Sequence, residues 1–174
     1  MLKYYNWDIV CQEIPDEVSI AVAISGCTIH CFGCHSRHLW EDKGETLDTE
    51  SLCGIINNNG GATCLLLMGG EHDIDALTEL FMYAHRRMKT AWYCGLDMIP
   101  KDKIGILNYL DYVKIGHYDH ELGGLDSRTT NQRMYQYNKL FSEFTVLGIG
   151  WRDITYKFWR NKVQDNTDDI HMGK

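Results

Sequence analysis

Three cysteines, Cys27, Cys31 and Cys34, directly follow a stretch in which larger apolar residues alternate with small ones. The alternation over residues 18–24 has the two-residue period of a β-strand, so the cysteines are predicted to lie in the loop at its carboxyl end. Thiols so close in sequence can converge on one metal centre. Three thiolates can hold a four-iron, four-sulfur cluster, in which one iron then has no protein ligand. The spacing therefore predicts a cluster at which a small molecule can bind and receive an electron.

Strands and helices alternate along the rest of the chain. Apolar runs predict further strands at Cys64–Met68, 90–94, Tyr112–Ile115 and 143–147. Caps and helical spacing predict a short helix capped by Asp48 or Thr49, and helices over 73–88 and 101–110. Residues 116–130 have little periodicity and are predicted to form a functional or partner-facing loop. This alternation is typical of parallel β/α units, whose sites lie at the carboxyl edge of the sheet.

The composition is that of an ordinary globular protein and excludes several functions. A chain of 174 residues is most simply one domain, predicted over residues 1–160, with a polar, frayed tail over 161–174. The formal net charge of −7 argues against nucleic acid as a partner. The sequence has no apolar run of membrane-spanning length and no signal-peptide core, so we expect a cytoplasmic protein without a membrane partner. Its seven cysteines are then predicted to be metal ligands or core residues, not disulfides.

The spacing Cys-x3-Cys-x2-Cys resembles the cluster-binding signature of the radical S-adenosylmethionine (SAM) enzymes. The flanking residues, Gly26 and the run Gly33-Cys34-His35, are similar to those of the small activating proteins of anaerobic ribonucleotide reductases. Most radical SAM enzymes have an aromatic residue immediately before the third cysteine. This chain has Gly33 there, as those activators do, and its aromatic residue, Phe32, lies one place earlier.

Later motifs extend the resemblance over nearly the whole chain. Residues 68–71, Met-Gly-Gly-Glu, resemble the motif after the second strand that holds the amino group of SAM. Residues 130–133 and 153–159 are also similar to stretches of the activator family. The resemblance implies an α/β fold, a partial (β/α)6 radical SAM barrel that is open on one side.

The resemblance also implies an activity. Cys27, Cys31 and Cys34 would ligate a [4Fe-4S] cluster that cleaves SAM reductively, and no catalytic residue is implied beyond these ligands. The resulting radical would be passed to a glycine of an anaerobic ribonucleoside-triphosphate reductase, with a reduced flavodoxin or ferredoxin as electron donor. The cofactor-binding residues implied are Gly69, Gly70, Glu71, Tyr93, Lys114, Asn131, Gln132 and Arg133.

Other interpretations remain open. The three cysteines could hold a structural zinc ion, with His30, His35 or His38 as fourth ligand. The protein could activate another glycyl radical enzyme, act on a small molecule or peptide, or be a non-catalytic zinc or iron–sulfur module. Lys114 could simply be an exposed charge on a strand, and Arg133 a surface residue of a helix.

Overall fold

The computed structural model describes residues 1–159, which form an eight-stranded sheet, a two-stranded hairpin and a few helices. The strands are β1 (Lys3–Val10), β2 (Ser19–Ile24), β3 (Glu45–Thr46), β4 (Cys64–Met68), β5 (Lys89–Tyr93), β6 (Tyr112–Ile115), β7 (Arg133–Tyr137), β8 (Phe144–Thr145), β9 (Gly148–Ile149) and β10 (Trp151–Asp153). The α-helices are α1 (Thr49–Asn57) and α2 (Ile74–Ala84). The 3-10 helices span Arg37–Leu39, Glu71–Asp73, Lys101–Tyr109 and Thr155–Phe158.

The sheet has the strand order β10-β7-β6-β5-β4-β2-β1-β3. Its four central strands, β2, β4, β5 and β6, are parallel, and the strands on either side of them are antiparallel. The register places Ala23, Met68, Tyr93 and Lys114 side by side across the parallel strands. The loops that follow these strands therefore meet at one edge, as the alternation of elements predicted. Whether the sheet curves into part of a radical SAM barrel stays a prediction.

Each face of the sheet carries its own core. The face under α1 and α2 holds the larger core, in which Phe81 of α2 and Trp92 of β5 are fully buried. The opposite face packs against the segment between β1 and β2, where Ile14 is fully buried, and against Ile154. Side chains alternate between the two faces along each strand, so a residue's place in its strand decides which core it joins.

The helix α1 begins where the sequence predicts. The Asp48 carboxylate accepts hydrogen bonds from the backbone N–H groups of Glu50 (3.1 Å) and Ser51 (2.9 Å). The Ser51 hydroxyl in turn accepts from the Asp48 N–H at 2.9 Å, which completes a capping box. Leu52 and Ile55 are the buried residues of this helix.

Two other helices differ from their predicted form. The helix α2 ends at Ala84, four residues earlier than predicted, and its last turn leads directly into β5. Residues 101–109 form a 3-10 helix rather than an α-helix and bury only Ile106 and Leu107, too few for an apolar stripe along a longer helix. None of the helices in the described residues has the length and apolar character needed to cross a membrane.

Four strands of the large sheet were not predicted: β1, β7, β10 and the two-residue β3. β1 is an outer strand in which Asn6 and Asp8 are exposed, and β10 has only three residues. β7 buries only Met134 and Tyr135, so it lacks the apolar run by which the central strands were recognised. Arg133 lies on β7, so its alternative interpretation as a helix residue was wrong. The predicted tail, residues 161–174, lies outside the described residues.

A buried carboxylate connects the amino-terminal ends of the parallel strands. Glu17 is only 6% exposed, and its carboxylate accepts hydrogen bonds from Lys89 Nζ, from the Tyr112 hydroxyl at 3.0 Å and from the Thr63 hydroxyl at 2.7 Å. Burial by itself would raise the pKa of Glu17, but these three donors outweigh it and hold the pKa below its ordinary value. The charged carboxylate therefore ties the segment before β2 to the start of three neighbouring strands.

We expect Glu17→Ala to lower the free energy of unfolding by about 2 kcal/mol, because it leaves buried donors without an acceptor. Urea denaturation under reducing conditions measures this loss. Since folding lowers the pKa of Glu17, the loss should be largest above pH 4.5, its ordinary value, and should shrink as the pH falls below it. The exposed Glu143–Arg152 pair supplies the control: Glu143→Ala should cost less than about 1 kcal/mol. Equal losses in the two variants would contradict the assignment.

Candidate functional site

The three cysteines lie on a tightly turned loop directly after β2. Its backbone is left-handed at three residues, with φ of +74° at Gly26, +50° at His30 and +74° at Gly33. Glycine adopts this conformation readily, whereas at His30 it costs about 1 kcal/mol or more. The His30 ring stacks on Trp40, with 4.6 Å between the ring centroids, and this contact helps to hold the turn. All three thiols are partly exposed to solvent.

Hydrogen bonds fix the cysteine backbone. The Cys27 N–H donates to the Leu39 carbonyl at 3.0 Å, and the Cys34 N–H donates to the Cys31 carbonyl at 3.2 Å. The Ser36 N–H is directed at sulfur and lies 3.3 Å from Cys34 Sγ. Bonds of this kind stabilise a thiolate and tune a cluster bound through it.

The groups that shift the pKa of Cys27 are neighbours of the cysteine loop. Burial raises the pKa of this thiol, the backbone N–H groups of Ile29 and His30 act against that rise, and the negative charge of Glu71 raises the pKa further. Glu71 belongs to the turn after β4, so the cysteine loop lies close to that turn. Because metal binding replaces the thiol proton, a bound cation would relieve the cost of a buried thiolate here.

The donor set fits an iron–sulfur cluster chemically. In residues 1–159, no group of three or more His, Cys, Asp or Glu side chains is arranged around a single metal ion. A zinc ion needs each sulfur ligand about 2.3 Å from one point. In a four-iron cluster each thiolate binds a different iron, so the sulfurs stand further apart. The three cysteines supply three partly exposed thiols on one loop, with an N–H directed at one of them, which are donors that such a cluster accepts.

The histidines of the zinc alternative already have packing partners. Besides His30 on Trp40, His35 lies 5.5 Å from the Tyr118 ring centroid and His38 lies 5.0 Å from that of Tyr5. The structure thus gives each of these rings a role in holding the loop.

The cysteine loop packs on the carboxyl ends of β4 and β5. A Cβ added at Gly95 would lie 3.0 Å from Ile29 Cγ1 and 3.3 Å from Glu71 Oε1. The Gly95 N–H donates to that same Glu71 oxygen. The other oxygen, Oε2, is buried and has no hydrogen-bond partner in the part of the chain that the structure describes. A buried acceptor left in this state costs about 1–3 kcal/mol, and a ligand that donates a hydrogen bond would satisfy it.

Gly69 and Gly70 shape the turn that carries Glu71. Their φ angles are +91° and +87°. A Cβ at Gly70 would lie 3.0 Å from Leu77 Cδ2, so a side chain there has no room. The Gly69 N–H donates to the Tyr93 carbonyl at 3.0 Å, and its carbonyl accepts from the Trp92 indole at 2.9 Å. The N–H and the carbonyl of Gly69 are thus both hydrogen-bonded to other residues of the protein. The turn formed by Gly69 and Gly70 directs Glu71 toward the cysteine loop.

Lys114 is buried, at 8% exposure, so its alternative interpretation as an exposed charge was wrong. Its Nζ donates to the Gly116 carbonyl at 2.9 Å and lies 5.9 Å from the Tyr93 ring centroid. Burial lowers the pKa of Lys114, while Cys94, Glu71 and Cys31 act against that shift. Lys114 therefore lies at the carboxyl edge of the parallel strands, beside Tyr93 and Gly116.

Three further predicted residues make mainly structural contacts, and Asn131 lines the same cleft as Arg133. The Tyr93 hydroxyl donates to the Glu13 carbonyl, so only its ring is near Lys114. Asn131 Nδ2 donates to the His117 carbonyl at 3.0 Å, and Gln132 Nε2 lies 3.4 Å from the Gly116 carbonyl. The two amides thus hold the loop after β6.

Arg133 is not brought to the cysteines. Met134 pairs with Lys114 in the sheet, and side chains alternate between faces, so Arg133 lies on the opposite face. Its guanidinium donates to the carbonyls of Thr130 (2.6 Å) and Gln132 (2.8 Å). It also lines a cleft of about 400 Å³ that contains neither a cysteine nor Lys114.

Gly95 was not among the residues predicted from the sequence. Its position in the sequence could have indicated a role, because Gly69, Gly95 and Gly116 all come shortly after parallel strands. A small residue at the end of such a strand allows another segment or a ligand to approach the backbone.

Comparison with known proteins supports the cluster. Residues 17–136 match the family described as 4Fe-4S single cluster domain, over more than half of the chain and including all three cysteines. Neither the curated proteins nor the solved structures contained a match. On the extent of the family match, the chain belongs to the 4Fe-4S single cluster domain family.

Proposed function

We propose that the protein is a radical SAM activating enzyme that generates a glycyl radical on an anaerobic ribonucleoside-triphosphate reductase. One observation carries the proposal: the loop with three thiols packs against Glu71, whose buried Oε2 has no partner in the described residues. Cys27, Cys31 and Cys34 would hold the [4Fe-4S] cluster. Family membership supports the cluster, and the sequence motifs support SAM as its ligand.

When bound, the cluster would supply the electron that splits the S–C5′ bond of SAM into methionine and a 5′-deoxyadenosyl radical, which takes a hydrogen atom from a glycine Cα. The protein's own residues would bind SAM and orient it. Glu71 Oε2 is a free acceptor for the ammonium group of the methionine part. The Lys114 ammonium offsets the negative charge that Glu71 and the thiolates concentrate in a buried place.

The proposal also includes the fold, the electron donor, the protein partner and the cellular location. Four parallel strands with the site at their carboxyl edge support a partial (β/α)6 barrel that is open on one side. A protein partner would close that side, and Phe32 in the cysteine loop is 81% exposed and available to it. A reduced flavodoxin or ferredoxin would supply the electron, in the reducing environment of the cytoplasm.

Anaerobic reconstitution with iron and sulfide, followed by reduction with dithionite in the presence of SAM, tests the activity. We expect formation of 5′-deoxyadenosine, and a glycyl radical doublet by electron paramagnetic resonance once the reductase is added. A cluster without SAM cleavage would indicate a non-catalytic iron–sulfur module. Cleavage without a radical on the reductase would indicate a different radical SAM enzyme.

We expect Cys31→Ala to lose the reconstituted cluster, because two thiolates remain for a group that needs three. Iron and sulfide analysis and visible absorption measure the loss. Cys53→Ala is the matched control: its thiol accepts a hydrogen bond from Asn57 within α1 and should not contribute to the cluster. Full iron content in the Cys31 variant would disprove its role as a ligand.

Glu71→Gln should weaken SAM binding by about tenfold, since a hydrogen bond to a charged group contributes roughly 1.5–3 kcal/mol. Equilibrium dialysis of the reconstituted protein with SAM gives the affinity, and iron analysis shows that the cluster is retained. Glu79→Gln, on the exposed side of α2, is the control for loss of a carboxylate charge. Unchanged SAM affinity in the Glu71 variant would remove this residue from the SAM site.

A further inference from the structure

A loop from another part of the chain covers the cysteine loop. This covering loop, residues 117–130, follows β6 and brings His120 against the residues just before the third cysteine. The His120 ring meets the Phe32 ring edge-on, with 6.0 Å between centroids and an interplanar angle of 83°. The Tyr118 ring lies near His35, on the other side of Cys34 in the sequence.

The contact at Gly33 is the closest of these. A Cβ added at Gly33 would lie 3.0 Å from both Cβ and Nδ1 of His120, closer than most real Cβ contacts. The backbone at Gly33 is also left-handed, with φ of +74°. The glycine therefore leaves room for the imidazole of His120, which is 87 positions further along the chain. His120, which is itself exposed to solvent, therefore packs on the outer side of the chain at Gly33, next to Cys34.

The covering loop has its own internal hydrogen bonds, so it holds His120 in a defined place. Asp119 Oδ1 accepts from the Glu121 N–H at 2.8 Å, and the Gly123 N–H donates to the Asp119 carbonyl at 2.9 Å. The Thr130 hydroxyl donates to the Gly123 carbonyl at 3.1 Å. At its start, the His117 ring pairs with Asp97 at 2.7 Å.

We propose that His120 is a positioning residue for Cys34: its ring holds the Gly33–Cys34 backbone and shields that side of the metal site from water and dioxygen. The inference rests on the proposed function in one respect, that Cys34 holds a cluster iron. The interaction is packing rather than ligation, because the ring contacts the backbone at Gly33 and the ring of Phe32. An aromatic ring without the imidazole nitrogens should therefore serve as well.

Air exposure of the reconstituted protein tests the shielding. Outer-sphere contacts of a metal site typically change its affinity or activity by 10–100-fold. The visible absorbance of the cluster should therefore be lost in air about tenfold faster in His120→Ala than in the wild type. His120→Phe keeps an aromatic ring and should bleach at the wild-type rate. Glu121→Ala, an exposed neighbour in the same loop, is the control and should also behave as the wild type. Bleaching of His120→Ala at the wild-type rate, or equal acceleration by Glu121→Ala, would overturn the proposal.

A second measurement requires no cluster. In the reduced apoprotein, His120→Ala should speed alkylation of Cys34 relative to Cys53, an internal reference on α1, as read by mass spectrometry. His120→Phe should restore the wild-type ratio. An unchanged ratio would refute the positioning role even if the cluster assignment holds. A raised ratio in a chain that takes up no cluster would support the positioning role while the proposed function failed.

Discussion

The site depends on how closely the cysteine loop can approach the ends of β4 and β5. A parallel sheet brings the carboxyl ends of its strands to one edge, but side chains there would keep a packed loop away. Gly95 removes that obstacle, and its N–H binds the same Glu71 carboxylate that borders the loop. One backbone position thus lies between the cysteine loop, through Ile29, and the Glu71 carboxylate.

Ionisable groups gather at this edge, some of them buried and some partly exposed. Burial and Glu71 raise the pKa of Cys27, while burial lowers the pKa of Lys114. Both shifts express the cost of holding charge in a buried place, and each is relieved by a partner of opposite sign. A cationic cluster would relieve the thiolates, and the ammonium group of a ligand would relieve Glu71. The site is thus suited to a zwitterionic ligand beside a metal group, which is the chemistry of the proposed function.

Local patterns in the sequence predicted local structure well. The capping residue Asp48 and the apolar run of β4 are contained in a few consecutive positions, and the structure has both where they were predicted. Outer strands were missed because half of their residues face solvent and show no apolar run. Arg133 was grouped with Asn131 and Gln132 through a shared motif, yet it lies in β7, on the face opposite the paired Lys114 and Met134.

The sequence alone determined that three thiols share one loop after a strand, because strand period and cysteine spacing are properties of consecutive residues. It also determined the glycines that permit the turns. Only the tertiary structure decided what those glycines make room for: Ile29 and Glu71 at Gly95, and His120 at Gly33. It likewise decided that Lys114 is buried near Glu71. These contacts join residues far apart in the chain, and they exist only once the parallel strands have brought their loops to the same edge.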